Sequence, residues 1–186
     1  AAVLRIKGGS ATVVAIASAF VLLGGMAFVG MIAAIAIPSL LRARVSANES
    51  ATIGDIRTVI SAQAAYQSAN GGWYASDIVC LNAPSGGTCI PSYPTNAPTF
   101  VDSAIRSLAS KSGYNRSFQS GGTITPNTST TGTSSTTGYA YLAEPVTAGQ
   151  TGVRAFGGDA SGVICFTPQG TPVTATAGAL VLTSCN

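Results

Sequence analysis

The sequence predicts an α+β protein, in which a long N-terminal α-helix packs on a C-terminal head with an antiparallel β-sheet. Three observations predict this class. Residues 11–37 are almost wholly apolar, residues 40–69 repeat apolar side chains at three- and four-residue steps, and residues 139–186 contain short apolar runs between glycine-rich turns. We therefore divide the chain into an apolar helix over 1–38, an amphipathic continuation over 39–70 and a head over 71–186.

The first of these segments has the length and composition of a membrane-spanning helix. No ionisable residue lies between Lys7 and Arg42. As a helix, residues 11–37 are about 40 Å long, and about 20 residues cross the hydrocarbon core of a bilayer. A helix that protein surrounds on all sides has the same composition. A signal peptide with Arg5 and Lys7 as its basic region is a third interpretation, although signal-peptide hydrophobic cores have only about 7–15 residues.

The helix then becomes amphipathic and ends at a clear stop signal. Pro38 lacks a backbone N–H and, with Gly30, predicts a kink in the helix. Asn70-Gly71-Gly72 predicts its end. Glu49 and Asp55 could form ion pairs along the helix or with another chain, but a solvated face is favoured for both, because exposed ion pairs contribute little. The positions expected to face the head are Leu41, Val45, Ile53, Ile56, Ile60 and Ala64.

Four cysteines predict two disulfides and an oxidising compartment. Of the three possible pairings, the sequential one is favoured, with Cys80–Cys89 closing a small loop around Pro84-Ser85-Gly86-Gly87. Cys165–Cys185 would then attach the end of the chain to the sheet. The sequence by itself does not decide between the three pairings.

The segment 120–138 is a low-complexity tract, with twelve serines or threonines in nineteen positions. Such a tract lacks the apolar side chains of a core and predicts a solvated loop or a carrier of sugar. Asn48, Asn115 and Asn127 also begin N-glycosylation motifs, but O-linked sugar on the tract is weighted more heavily. The candidate acceptors are Thr128, Ser129, Thr130, Thr131, Thr133, Ser134 and Ser135.

Local patterns predict the other elements of the head. Residues 99–111 predict a short helix, and Trp73 is expected in the core. Asp159 is expected in a β-turn over 157–162 rather than in a calcium site, because calcium takes about 6–8 oxygen ligands. The predicted strands are 139–144, 152–156, 163–167 and 179–183.

Composition excludes several chemistries. The chain has no histidine, six acidic residues and nine scattered basic residues. Histidine general bases, histidine metal sites and Ser-His-Asp triads are therefore absent, and no basic cluster suits nucleic acid. We expect no catalytic residues, no cofactor and no metal. A membrane-anchored enzyme remains an alternative without a recognisable nucleophile–base pair.

Several motifs resemble those of one family. Residues 30–44 read Gly-Met-Ile-Ala-Ala-Ile-Ala-Ile-Pro-Ser-Leu-Leu-Arg-Ala-Arg, and residues 48–57 read Asn-Glu-Ser-Ala-Thr-Ile-Gly-Asp-Ile-Arg. They resemble the N-terminal helix of type IV pilins. The resemblance covers about residues 28–74 closely and 138–186 loosely, through Gly152-Val-Arg-Ala-Phe156 and Asp159-Ala-Ser-Gly-Val-Ile164. The start differs, because the family's Phe-Thr-Leu-Ile-Glu would place its first residue at Ala17 and its glutamate at Val21.

The resemblance implies a structural function. Subunits of this family are inserted in the bacterial inner membrane before assembly. The pilus assembly machinery polymerises them into an extracellular filament, in which other copies of the chain are the partners. Adhesion, motility or DNA uptake would lie downstream. The alternative is a minor pilin or a type II secretion pseudopilin. The residues expected in the filament core are Phe20, Leu22, Leu23, Phe28, Met31, Ile32, Ile35 and Ile37.

Overall fold

The protein is an α+β molecule, as predicted. The computed structural model describes residues 3–127 and 129–185, so Thr128, one of the candidate sugar acceptors, lies outside the described residues. The chain divides between Ala43 and Arg44 into two compact units. The first consists of the N-terminal part of helix α1, which begins at Val3. The second contains the rest of that helix and the head.

Helix α1 covers Val3–Ala69, and Pro38 lies inside it. The helix is continuous through the proline, so the kink expected at Gly30 and Pro38 stays a prediction. It ends where the stop signal predicts, because Gly71 and Gly72 adopt φ angles of +62° and +91°. These left-handed conformations favour glycine and turn the chain out of the helix.

The strands of the head are β1 (Tyr74–Ala75), β2 (Tyr114–Ser120), β3 (Ser135–Thr136), β4 (Tyr139–Pro145), β5 (Ala155–Asp159), β6 (Ile164–Thr167), β7 (Ala175–Thr176) and β8 (Ala179–Leu180). They form a four-stranded antiparallel sheet in the order β2-β4-β5-β6 and two small two-stranded antiparallel sheets, β1 with β3 and β7 with β8. The short helices are α2 (Val79–Asn82) and α3 (Ser103–Arg106), with 3₁₀ turns at Pro168–Gly170 and Leu182–Ser184.

The C-terminal part of α1 packs on one face of this sheet. Ile56, Val59 and Tyr66 are completely buried in a core that they share with Tyr141 and Phe156. Their steps of three and seven residues keep one helix face toward the sheet. The buried face of the helix is therefore rotated relative to the apolar positions that were expected to face the head. Ile56 is buried and Val45, Ile53 and Ile60 are half-buried, whereas Leu41 and Ala64, which were expected to face the head, are exposed.

Two glycines in β5 allow this close packing. A Cβ on Gly158 would collide with the side chain of Ile56, and one on Gly157 would lie 2.9 Å from Leu180 and Val173. Gly158 therefore admits the helix on one face of the sheet, and Gly157 admits the C-terminal segment on the other.

The second face of the sheet is covered by the end of the chain. Ala140 and Leu142 of β4 are buried there with Cys165, Val173 and Leu180. Alternate residues of β4, including Tyr139 and Tyr141, face the helix side. Strand β4 is therefore buried on both faces, and its apolar run reflects burial rather than simple alternation.

The polar segment before residue 120 forms a strand that its local sequence pattern did not predict. Strand β2 pairs along its full length with β4, from Tyr114 opposite Pro145 to Ser120 opposite Tyr139. Its sequence is mostly polar because it is an edge strand, with only Tyr114 and Arg116 buried. The sheet thus begins before the predicted boundary at residue 139.

The helix predicted over 99–111 is much shorter. Asp102 accepts a hydrogen bond from the Ile105 backbone N–H and begins α3. Leu108 adopts a φ of +52°, which no helix tolerates, and the helix ends at Arg106. Val101 and Ile105 are buried, and the partly buried Leu108 packs against the same core.

Part of the Ser/Thr tract is buried, which corrects the prediction of a solvated loop over 120–138. The Asn70 side chain donates to the Ser135 hydroxyl and accepts from the Gly132 backbone N–H, at 2.7 and 2.8 Å. Thr131, Ser135 and Thr136 are buried. Hydrogen bonds to Asn70, just after α1, therefore compensate the burial of Ser135, and the Thr136 hydroxyl donates to the carbonyls of Gly122 and Gly138.

Other local predictions are also shifted. The strand expected over 152–156 lies at Ala155–Asp159, and the last strand has only two residues before a 3₁₀ turn. Gly157 and Gly158, which were expected in a turn, lie in β5, and the turn follows Asp159. Trp73 is exposed rather than buried, whereas Tyr74 packs edge-on against Tyr139 with ring centroids 5.1 Å apart.

Both disulfides follow the sequential pairing. Cys80–Cys89 closes a nine-residue separation and Cys165–Cys185 closes one of twenty. The first bond attaches α2 to the segment before Ile90. The second attaches the C-terminal segment to β6, which holds that segment over the second face of the sheet.

Candidate assembly surface

The apolar part of α1 exposes an unusually large hydrophobic surface. The eight side chains expected in a filament core are each between 54% and 74% exposed. Burying one such side chain fully is worth about 1.5–3 kcal/mol, so eight together favour burial by about 12–24 kcal/mol at most. This driving force is available to a membrane or to other protein chains. The eight residues are Phe20, Leu22, Leu23, Phe28, Met31, Ile32, Ile35 and Ile37.

This helix is also the candidate membrane span among the described residues. Its most apolar window has a mean hydropathy of 2.5, and none of that window is buried. A membrane span and a signal sequence both have this character. The described core of the head does not use this surface, because its buried helix positions start at Glu49.

Glycines form a shallow depression in part of this helix surface. A Cβ at Gly24, Gly25 or Gly30 would meet nothing within 4 Å, so packing within the described chain does not require glycine there. Gly25 and Gly30 line a shallow apolar depression together with Val21, Leu22, Met26 and Val29. Such depressions let a second helix approach closely.

A buried carboxylate connects α1 to the head. Glu49 accepts hydrogen bonds from the backbone N–H groups of Val153 and Arg154, and from the Arg154 guanidinium at 2.6 and 3.0 Å. Burial alone raises the pKa of the Glu49 carboxyl, but these hydrogen bonds outweigh it and hold the pKa below its ordinary value. The prediction of a solvated face is therefore wrong for Glu49.

Arg154 is held in place by its own neighbours. Its guanidinium lies 5.4 Å from the ring centre of Phe156 and 5.2 Å from that of Phe166. The hydroxyl of Tyr114 donates to its carbonyl oxygen, and the Asn48 amide donates to the carbonyl of Thr151. These contacts fasten the loop between β4 and β5 to α1.

A second acidic residue of α1 also binds the head. Asp55 accepts from the Lys111 ammonium at 2.7 Å, and Arg116 lies 3.7 Å from its other oxygen. Arg116 donates to the carbonyls of Ala109 and Ala104 and is itself buried. Asp55 therefore does not lie on a solvated face either. The sequence showed the charges but not their partners, which lie 56 or more positions away.

The structure sorts the described sugar acceptors by accessibility. Ser129, Thr130 and Thr133 are exposed. Thr131 and Ser135 are buried, and the half-buried Ser134 donates its hydroxyl proton to Thr88. Among the acceptors that the structure describes, only Ser129, Thr130 and Thr133 present an exposed hydroxyl to a modifying enzyme.

The N-glycosylation motifs are sorted in the same way. Asn115 and Asn127 are exposed. The Asn48 amide is occupied by its hydrogen bond to Thr151.

Metal-binding chemistry is not assembled among the described residues. No group of three or more histidine, cysteine, aspartate or glutamate side chains there could hold a metal ion. Asp159 has a structural environment: its carboxylate accepts from the Ser161 backbone N–H and hydroxyl and from the Leu180 backbone N–H. It therefore stabilises a turn and joins it to β8.

Comparison of the chain with protein-family models finds no match. Comparisons with curated proteins and with solved structures likewise find none. The features that bear on function are therefore the apolar surface, the head that is fastened to the same helix, and the motifs in the sequence.

Proposed function

We propose that this protein is a structural subunit that polymerises through its apolar N-terminal helix into an extracellular, type IV pilus-like filament. The observation that carries the proposal is the exposed apolar surface of α1 over the eight predicted core residues, joined to a separately folded head. Water disfavours such a surface by about 25 cal/mol for each Å². A subunit that passes from a membrane into a polymer keeps it covered at both stages.

The shape of the interaction supports an open polymer. Exposed apolar side chains at consecutive positions, Phe20 to Leu23, lie all round the helix, so one copy can contact several neighbours. Repeated heterologous contacts of this kind extend into a helical filament. The depression around Gly25 and Gly30 suits close contact between neighbouring helices. Other copies of the chain are thus the proposed partners after assembly, and the pilus assembly machinery supplies the transfer from the membrane.

The head has features suited to the outside of a cell. Two disulfides attach its loop and its C-terminal segment, and disulfides persist in oxidising compartments. Exposed hydroxyls at Ser129, Thr130 and Thr133 offer positions for sugar on the filament surface. We therefore propose insertion in the bacterial inner membrane before assembly and a location on the cell surface afterwards.

Electron microscopy of material sheared from the cell surface, with mass spectrometry of the same material, tests the proposal. We expect long filaments made mainly of this chain, and sugar, where present, on the exposed hydroxyls. A chain that stays with membranes, or is only a trace component of filaments, would contradict a major structural subunit. That outcome would favour a minor pilin or a secretion pseudopilin.

A further inference from the structure

The apolar part of α1 is longer than a bilayer requires. From Lys7 to Arg42 there is no ionisable residue, which amounts to about 50 Å of helix against a hydrocarbon core of about 30 Å. Apolar side chains alone therefore do not decide which residues lie in the core. Charged side chains that bind the membrane surface at one end of the helix therefore set the depth of the helix in the bilayer.

Arg42 and Arg44 follow the last residues of this segment, and both are exposed. Sequence proximity offers Glu49 and Asp55 as their counter-ions. The structure uses those carboxylates elsewhere, since Glu49 binds Arg154 and Asp55 binds Lys111 and Arg116. Within the described residues, neither Arg42 nor Arg44 takes part in an ion pair.

We propose that Arg42 and Arg44 bind anionic lipid headgroups while the chain is in the membrane, and thereby fix about 20 residues, 22–41, in the hydrocarbon core. Anionic headgroups attract arginines that lie beside a membrane segment, and the long arginine side chain reaches the headgroups from the end of an apolar helix. The inference rests on the membrane stage of the proposed function. It adds the lipid class and the residues that recognise it.

The depth of the helix tests this inference. The full chain carrying Ser46→Cys, an exposed position, is spin-labelled and reconstituted at low protein-to-lipid ratio. One set of vesicles is phosphatidylcholine, and the other contains one third phosphatidylglycerol. We expect the label at headgroup depth in the anionic vesicles and farther from the membrane in pure phosphatidylcholine.

The arginine variants define the cause. In anionic vesicles, R42Q/R44Q should move the label outwards by about 5 Å, one helical turn, or more, because the headgroups then no longer hold this end of the helix at the interface. The matched control R57Q/R106Q removes two arginines that are exposed elsewhere and should leave the label where it is. High salt should reproduce the shift in the parent chain.

Two outcomes would overturn the inference and separate it from the proposed function. If the chain floats with vesicles and the label depth ignores both the lipid charge and R42Q/R44Q, headgroup recognition is refuted while the membrane stage stands. If the chain does not float with either kind of vesicle, the inference and the membrane stage fail together.

Discussion

At the scale of single residues, the buried carboxylate of Glu49 shows how the head is fastened to its helix. It accepts four hydrogen bonds from two consecutive residues, Val153 and Arg154. Two of them come from backbone N–H groups, so the Glu49 side chain binds both the Arg154 guanidinium and the backbone of the loop. Hydrogen bonds to a charged group are worth about 1.5–3 kcal/mol each at most, and the partial exposure of Arg154 lowers this contribution.

Glu49→Gln should therefore destabilise the chain by about 1–3 kcal/mol at neutral pH, because an amide nitrogen then faces donors. Urea unfolding of the full chain in non-ionic detergent measures this. The control is Glu144→Gln, a half-buried carboxylate outside the ion pairs of the described residues, which should change stability by less than about 0.5 kcal/mol. Equal effects of the two substitutions would contradict the role of Glu49.

The same carboxylate predicts a pH dependence. Its pKa in the folded chain is lower than the ordinary value of 4.5, so the stabilisation is complete above that pH and is lost as the pH falls through the lowered pKa. The stability difference between the parent and Glu49→Gln should accordingly narrow below pH 4.5. Unfolding curves recorded from pH 7 down to pH 3 check it, and a constant difference would count against ionisation as the cause.

At the scale of elements, glycines have opposite roles in the sheet and in the helix. Gly158 of β5 faces Ile56 with no room for a Cβ, whereas Gly54 of α1 has open space around it. The first glycine is needed for close packing of two elements. The second lowers the propensity of an exposed helical position without a compensating contact.

Replacement by alanine should therefore change the free energy of unfolding in opposite directions at the two glycines. Gly158→Ala should destabilise the protein by about 1–3 kcal/mol through overpacking, and Gly54→Ala should stabilise it by about 0.5–1 kcal/mol through helix propensity. The two variants serve as controls for each other in the same urea experiment. Destabilisation by Gly54→Ala would indicate a contact on that helix face that the isolated chain does not show.

The apolar helix supports a prediction about assembly. Gly25→Leu keeps the segment apolar but fills the depression beside Met26, so membrane insertion should persist while the yield of filaments falls at least tenfold. Leu22→Ile conserves volume and is the control. Flotation with membranes and the amount of sheared filament are the two measurements. Normal filament yield from Gly25→Leu would refute close helix contact at this position.

At the scale of the whole molecule, the exposed apolar surface and the disulfide-bonded core lie in different parts of the chain. Removing residues 1–38 takes away most of the exposed apolar surface. It leaves both disulfides and the ion pairs of Glu49 and Asp55 with the head. The remaining chain should be soluble and monomeric. Sedimentation velocity and mass analysis without reductant check this, and a truncated chain that still polymerises would refute assembly through the helix.

The sequence determined the features that depend on local composition. A run of apolar residues without charge identifies a helix whose surface needs a membrane or a protein partner, because exposure of apolar side chains to water is unfavourable. Gly71 and Gly72 identify the end of α1, since their backbone angles suit glycine. The favoured cysteine pairing is also observed, helped by the proximity of Cys80 and Cys89 along the chain.

Tertiary structure decided what depends on partners far away in the chain. Glu49 meets Arg154 across 105 positions, and Asn70 meets Ser135 across 65. Because a polar group is buried only where a distant partner satisfies it, local sequence predicted exposure for Glu49 and for the tract that contains Ser135. The apolar pattern thus defines which elements form, and the distant hydrogen bonds and ion pairs decide which polar residues they bury.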